Sequence, residues 1–208
     1  MVAAPAPAGA HGQAVRKATP DDLEPLADAL AHAFDGDPPM QWFLPDAGSR
    51  VARARALFEL MLGRVHLERD WCYTTQDLVG GALWVPPGNW RLGFVQQLAL
   101  LPGMLRVFGR GLPRAQRGLA VMEEGHPRTA HYYLDSLGVV PEWQGRGIGS
   151  ALLRPVLERC DRERMPAYLN AGSARSRDLY SRHDFGVTEE FRLPDAGPPL
   201  WRMWREPA

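Results

Sequence analysis

Lysine is nearly missing from this chain: Lys17 is the only one, and arginine supplies the rest of the positive charge. The 24 basic and 24 acidic side chains cancel, so no global field draws the protein to nucleic acid or to an anionic membrane, and neither is expected as a partner. Cysteine is equally scarce. Cys72 and Cys160 lie far apart, and two thiols make neither a disulfide framework nor a metal-ligand spacing. A reducing cytoplasm and a site without metal are expected. No apolar run approaches membrane-spanning length. The opening MVAAPAPAGAHG has no basic n-region and no continuous apolar h-region, so it does not read as a signal peptide. Residues 1–12 read instead as a mobile Ala/Pro tail, followed by a single domain over 13–208, enough chain for a sizeable core.

What is present is concentrated in Leu134–Leu153, LDSLGVVPEWQGRGIGSALL. Leu134 to Val140 is an apolar run suited to a buried strand. Pro141 stops it, because proline brings no N–H to a sheet ladder. Gln144 to Gly149, QGRGIG, is a glycine-spaced turn, and beyond Ser150 the residues Leu152, Leu153, Val156 and Leu157 recur at helical spacing. Strand, glycine loop and helix in that order make an anion cradle. The first N–H groups of a helix lack internal partners, the helix dipole leaves partial positive charge there, and glycine lets a phosphate approach the backbone. Arg146 adds a full charge, and a pyrophosphate suits the site. A Walker loop is excluded for want of its lysine. A Rossmann fingerprint is excluded because Gly145, Gly147 and Gly149 are spaced by two and two.

The Q-x-x-G-x-G spacing, preceded by V-x-P, resembles the acetyl-CoA loop of the GNAT N-acetyltransferase superfamily. The matching residues are Leu137, Val139, Pro141, Gln144, Gly147, Ile148, Gly149, Leu152 and Leu153. More loosely, the early A-T-P-D-D-L and the ending PPLWRMWREP look like the branch containing puromycin N-acetyltransferase. The resemblance implies an α/β (α+β) GNAT fold: a central mixed, mostly antiparallel sheet flanked by helices and splayed at its central strand for acetyl-CoA, the acyl donor. It implies direct transfer of the acetyl group to the amine of a small molecule, antibiotic-like on the looser comparison. Two other readings stay open: a non-catalytic acetyl-CoA-binding module, and a protein or peptide N-acyltransferase.

Carried onto this sequence, the resemblance places Leu137, Gly138, Val139, Val140, Gln144, Gly145, Arg146, Gly147, Ile148, Gly149, Ser150, Asn170, Ser173, Ser176 and Tyr180 around the coenzyme. Tyr180, in R-D-L-Y-S-R-H-D-F, matches the family's tyrosine and is the expected general acid for the leaving thiolate. Ser173, Ser176 and Asp184 stand where the family motif has asparagine, alanine and glycine. Ser173 can still cap a helix, and aspartate tolerates a left-handed helix end better than most residues. A backbone N–H near Val139 resembles the family's donor to the thioester oxygen. Strand alternation puts His131, Tyr133, Asp135, Leu137 and Val139 on one face. Asp135 is the expected base for the amine, or else a counter-ion for a cationic acceptor; as a base it needs burial to raise its pKa. His131, Asn170, Glu123, Glu124 and His126 are further polar candidates.

In chain order, Thr19 caps a helix that ends at Asp35–Pro39, and Met40, Trp42 and Phe43 after it are pocket walls or core. Ser49 to Leu67 reads as a second helix, and Trp71–Thr75 with Leu78–Val85 as two antiparallel strands. The variable helical segment 89–125 carries Arg91, Arg106, Arg110, Arg114 and Arg117, with no acid from Asn89 to Met122. A lid, a homodimer surface and an acceptor-site wall are all open for it. Pro102-Gly103 is expected to break its apolar drift (Phe94, Leu98, Leu101, Leu105), which argues against a helix lying on a membrane. Ala167–Asn170 reads as a strand, Ala174–His183 as a helix, and Phe185–Phe191 and Leu200–Trp204 as the last strands.

Overall fold

The computed structural model describes residues 14–208; the expected tail lies outside them. Strands β1 (Val15–Lys17), β2 (Cys72–Thr75), β3 (Gly80–Val85), β4 (Tyr132–Val139), β5 (Ala167–Ala171), β6 (Gly186–Arg192) and β7 (Pro199–Arg205) form a seven-stranded sheet in the order β1-β2-β3-β4-β5-β7-β6. Only β4 and β5 run parallel. This is the mixed, mostly antiparallel sheet that the sequence implied.

The helices are α1 (Leu23–Phe34), α2 (Pro38–Phe43), α3 (Arg50–Met61), α4 (Phe94–Phe108), α5 (Leu112–Glu124), α6 (Ile148–Glu163) and α7 (Ala174–Ser181). They divide between the two faces of the sheet. Leu26 and Leu30 of α1, Phe58 of α3, Val107 and Phe108 of α4 and Ala115 of α5 pack with Leu83. Leu152, Leu153 and Val156 of α6 and Tyr180 of α7 pack with Ala82, Leu134, Leu169 and Met203. Each large side chain so buried contributes about 1.5–3 kcal/mol, so both layers clamp the central strands.

Two irregularities decide where functional side chains point. On β4, Ser136 pairs with Leu83 and Leu134 with Trp84, leaving Asp135 without a partner on β3. This β-bulge resets the alternation. Leu137 and Val139 join the core beneath α6. Gly138 faces α1, where an added Cβ would lie 2.9 Å from both Ala33 and Phe34. The expected single face for Asp135, Leu137 and Val139 is therefore corrected: the bulge separates Asp135 from the other two. Gly138→Ala should cost about 1–3 kcal/mol by overpacking against α1, readable as a lower urea midpoint with an unchanged slope.

The second irregularity ends α3. The chain continues as a π turn over Leu62–His66 and a 3-10 turn over Leu67–Arg69, not as α-helix to Leu67. One extra residue in the turn re-aims His66. Elsewhere a break that the sequence suggested does not occur. α4 runs through Pro102 and Gly103, and Gly103 lets it approach α3, since a Cβ there would lie 2.6 Å from Leu60.

β4 and β5 pair only from Tyr132↔Ala167 to Leu134↔Leu169. Beyond that, β4 follows β3 to Val139↔Gly80 and β5 follows β7 to Ala171↔Trp201. The expected splay at the central strand is this divergence.

Candidate active site

The loop from β4 to α6 closes one end of the splay. Gly145 and Gly147 have φ of 78° and 80°, a region that L side chains rarely adopt. A Cβ on either would meet nothing within 4 Å, so the backbone is open to a ligand. Gly147 is the N-cap of α6 and has no side chain to offer. The first internal bond is Ala151 N–H to the Gly147 carbonyl at 3.0 Å, which leaves the amides of Ile148, Gly149 and Ser150 without helical acceptors. Gly149 serves packing, because a Cβ there would lie 3.2 Å from Leu179 of α7. Gln144 Nε2 donates to the Val139 carbonyl at 2.9 Å, so its side chain ties the loop to the strand end. Arg146 lies 4.8 Å over the Trp143 ring and, with Arg154, lines an open groove of about 410 Å³ along α6. Ser150 Oγ is 2.8 Å from His183 Nε2, which joins α6 to the chain after α7.

Val140 N–H donates to the Val79 carbonyl at 2.9 Å. Successive amides of a strand point to opposite edges, so those of Val139 and Leu137 turn to the edge that β5 has left. On α7, Tyr180 is 6% exposed, in the same core cluster as Val139, with its ring edge-on to Phe185 at 6.0 Å. Burial pushes its phenol well above the ordinary value, and the charge of Asp37 adds to this. Ser173 and Ser176 form the capping box of α7, with Ser176 N–H donating to Ser173 Oγ at 3.2 Å and Ser173 N–H to Ser176 Oγ at 3.1 Å. Their hydroxyls aim α7. Asp184 takes the left-handed conformation expected of it, at φ 64°.

Asp37 was not singled out in the sequence. Its N–H donates to the Phe34 carbonyl at 3.0 Å, and its Oδ2 accepts from Met40 N–H at 3.2 Å as the N-cap of α2. A Cβ on Gly172 would lie 2.9 Å from Asp37 Oδ1, so the carboxylate rests on the turn between β5 and α7. Phe34, one turn earlier, abuts Gly138 of β4. The segment from Phe34 to Asp37 therefore runs from Gly138 of β4 to Gly172 after β5. Burial pushes its carboxyl up to about 6 against a single amide hydrogen bond. The sequence marks Asp35–Pro39 only as a helix end, and no spacing shows that the Asp37 carboxyl is desolvated.

Asp135 behaves differently. Its Oδ2 is 3.3 Å from Nε2 of His66, a side chain only 1% exposed, while 29% of the Asp135 side chain is reached by solvent. The pair attracts but is not aligned as a hydrogen bond, so both His66 ring nitrogens lack hydrogen-bond partners among the described residues. Burial pushes the Asp135 carboxyl up, but His66 and the Ser136 hydroxyl outweigh it, and the group is held below the usual carboxylate range. That is opposite to what a base needs and suits a counter-ion. The π turn that aims His66 left no trace in the periodicity of α3.

Asn170, His131 and His126 are engaged elsewhere. Asn170 Oδ1 accepts from Tyr168 OH at 2.9 Å, and the Tyr168 ring lies 5.9 Å from that of Tyr133 at 29°. Asn170 thus belongs to an aromatic wall. His131 Nδ1 is 2.6 Å from the Thr129 carbonyl and must donate to it, so His131 Nε2 accepts from His126 Nε2 at 3.0 Å. His126 also stacks 3.7 Å from Trp90. Burial lowers both imidazoles, His126 to about 3, so the pair is a neutral fastening before β4. Met40 and Phe43 pack in the α1–α3 core, and Trp42 lies against Gly118 of α5. Glu123 and Glu124 are exposed at the end of α5. Among the described residues no group of His, Cys, Asp and Glu is placed to hold a metal ion, and no helix is long and apolar enough to cross a membrane.

These features can be set beside known proteins. The acetyltransferase (GNAT) family model matches residues 27–185. An uncharacterized N-acetyltransferase of Schizosaccharomyces pombe is 26% identical, covering 93% of this chain and 83% of that protein. The solved structure of histone acetyltransferase HPA2 and related acetyltransferase from Corynebacterium glutamicum is 30% identical, covers 95% of this chain and 97% of that one, and superposes with a TM-score of 0.71. A Drosophila melanogaster polyamine N-acetyltransferase that forms N-acetylagmatine shares the fold at a TM-score of 0.62 and 16% identity, over 93% of this chain and 99% of that one. The splayed strands, the glycine loop and these likenesses agree: the chain belongs to the GNAT N-acetyltransferase family of acyltransferases.

Proposed function

We propose that this enzyme moves the acetyl group of acetyl-CoA to the amine of a small cationic molecule, antibiotic-like amines included. The observation that carries this is the parting of β4 and β5 beyond Leu134, with the Val139 amide on the edge β5 has left, Asp37 on the turn after β5, and Tyr180 within reach of the Asp37 charge. The open backbone at Gly145 and Gly147 and the free amides of Ile148, Gly149 and Ser150 fit the pyrophosphate of the donor. From there the thioester reaches the splay, where Val139 N–H meets its oxygen. One such donor contributes roughly 3 kcal/mol to the transition state.

The amine nitrogen attacks the thioester carbon once Asp37 has taken one ammonium proton. The adduct expels the thiolate, which takes the phenolic proton of Tyr180, and the proton left on nitrogen replaces it. Amide and free CoA form, and Asp37 releases one proton to solvent. The anionic Asp135 acts as counter-ion for the acceptor. Trp42 and Phe43 against Gly118 close the α5 side, which favours a small amine over a peptide groove.

CoA release with agmatine, spermidine and puromycin tests this reading. Wild type should turn over at least one of them. Tyr180→Phe should lower kcat by about 10²-fold with little change in acetyl-CoA binding. Binding without turnover of any amine would indicate a coenzyme-binding module. Peptide acetylation with indifference to small amines would indicate a protein acyltransferase.

A further inference from the structure

We propose that α4 docks on an anionic lipid bilayer. The objection raised by Pro102-Gly103 is removed by the continuity of the helix through them. One side of α4 is core: Leu100, Val107 and Phe108 are buried, and Gly103 abuts Leu60 of α3. The other side is bare. Phe94 is 74% and Val95 77% exposed, and Leu98, Leu101 and Leu105 are also exposed. Phe94, Leu98, Leu101 and Leu105 follow one another at intervals of four, three and four, so they form one apolar stripe along the helix.

Charge selects the occupant. Arg91 precedes the stripe, and Arg106 and Arg110 lie at its far end, all three exposed. None of them is in an ion pair among the described residues. No acid occurs from Asn89 to Met122. A second copy of this chain would bring the same arginines and no acid from this helix to the contact, so like charges would meet. An anionic bilayer offers acyl chains to the stripe and phosphates to its cationic ends. Trp90, four residues before α4, stacks on His126, and Leu100, Val107 and Phe108 hold the opposite side of the helix in the core. This inference does not depend on which amine is acetylated.

Co-sedimentation of the full chain with phosphatidylcholine vesicles, with and without phosphatidylglycerol, tests it. Binding should be at least about tenfold tighter with phosphatidylglycerol and should weaken with salt. Phe94→Glu with Leu98→Glu should abolish it, and Arg106→Gln and Arg110→Gln should each cost about fivefold. These side chains are exposed, so circular dichroism and thermal unfolding should not change. Equal or absent binding to the two vesicle types would overturn the proposal. So would a dimer in sedimentation velocity that Leu98→Glu converts to monomer, which would assign the stripe to a second copy.

Discussion

Asp37→Asn should lower kcat by about 10²–10⁴-fold and remove the acidic limb of the pH profile. In the wild type, kcat/KM should fall as pH drops through about 6, where the half-buried Asp37 carboxyl takes up its proton and can no longer accept one from the amine. Asparagine caps helices as well as aspartate does, and its amide oxygen can still accept from Met40 N–H, so the α2 entrance should survive. Stability supplies an independent readout. Asp37 is raised on folding, so the folded state holds this proton more tightly than the unfolded chain. That contribution is full below the unfolded value and is lost as pH rises through about 6. Asp37→Asn should therefore gain on wild type between pH about 5 and 8, by about 1.4 kcal/mol, measured by urea unfolding at the two pH values. Asp135→Asn should do something else. It should keep the acidic limb and raise KM for the amine, because Asp135 is already ionised beside His66. An Asp37→Asn enzyme with wild-type kcat and an intact acidic limb would remove Asp37 from the chemistry.

Gly147→Glu should weaken CoA binding more than about 100-fold, since like charges brought together in a binding site cost several kcal/mol. The position sits at φ 80°, where an L residue costs roughly 1–2 kcal/mol, and its side chain would project into space that nothing in the protein fills. Gly147→Ala separates the two effects: it carries the backbone strain but no charge, and should lose about tenfold or less. Calorimetric titration with CoA reads both. Far-ultraviolet circular dichroism should stay native, because α6 is held by Leu152, Leu153 and Val156 in the core. Wild-type affinity in Gly147→Glu would mean that the loop does not hold the pyrophosphate.

The glycine loop and the helix after it were legible because their signals are local. Two positive-φ glycines and a 3.6-residue apolar period lie within one short stretch, and both reappear in the structure. The polar side of the site was legible only in part. Reading β4 by strict alternation fails at Asp135, because a bulge depends on the partner strand and not on the strand's own residues. His66 was hidden in the same way, by a π turn inside an apolar helical pattern. Asp37 read only as part of the Asp35–Pro39 helix end, and it is tertiary contact with Gly172 that makes it a half-buried carboxylate beside the splay. Pro102-Gly103 misled in the other direction. The packing of α4 on α3 overrides the weak local preference for a break.

A crystal structure with bound acetyl-CoA tests the central claim most directly. The pyrophosphate should lie on the amides of Ile148, Gly149 and Ser150, the thioester oxygen on Val139 N–H, and the sulfur beside Tyr180. A coenzyme seated away from the divergence of β4 and β5, or one whose thioester points away from Val139 and Asp37, would contradict it.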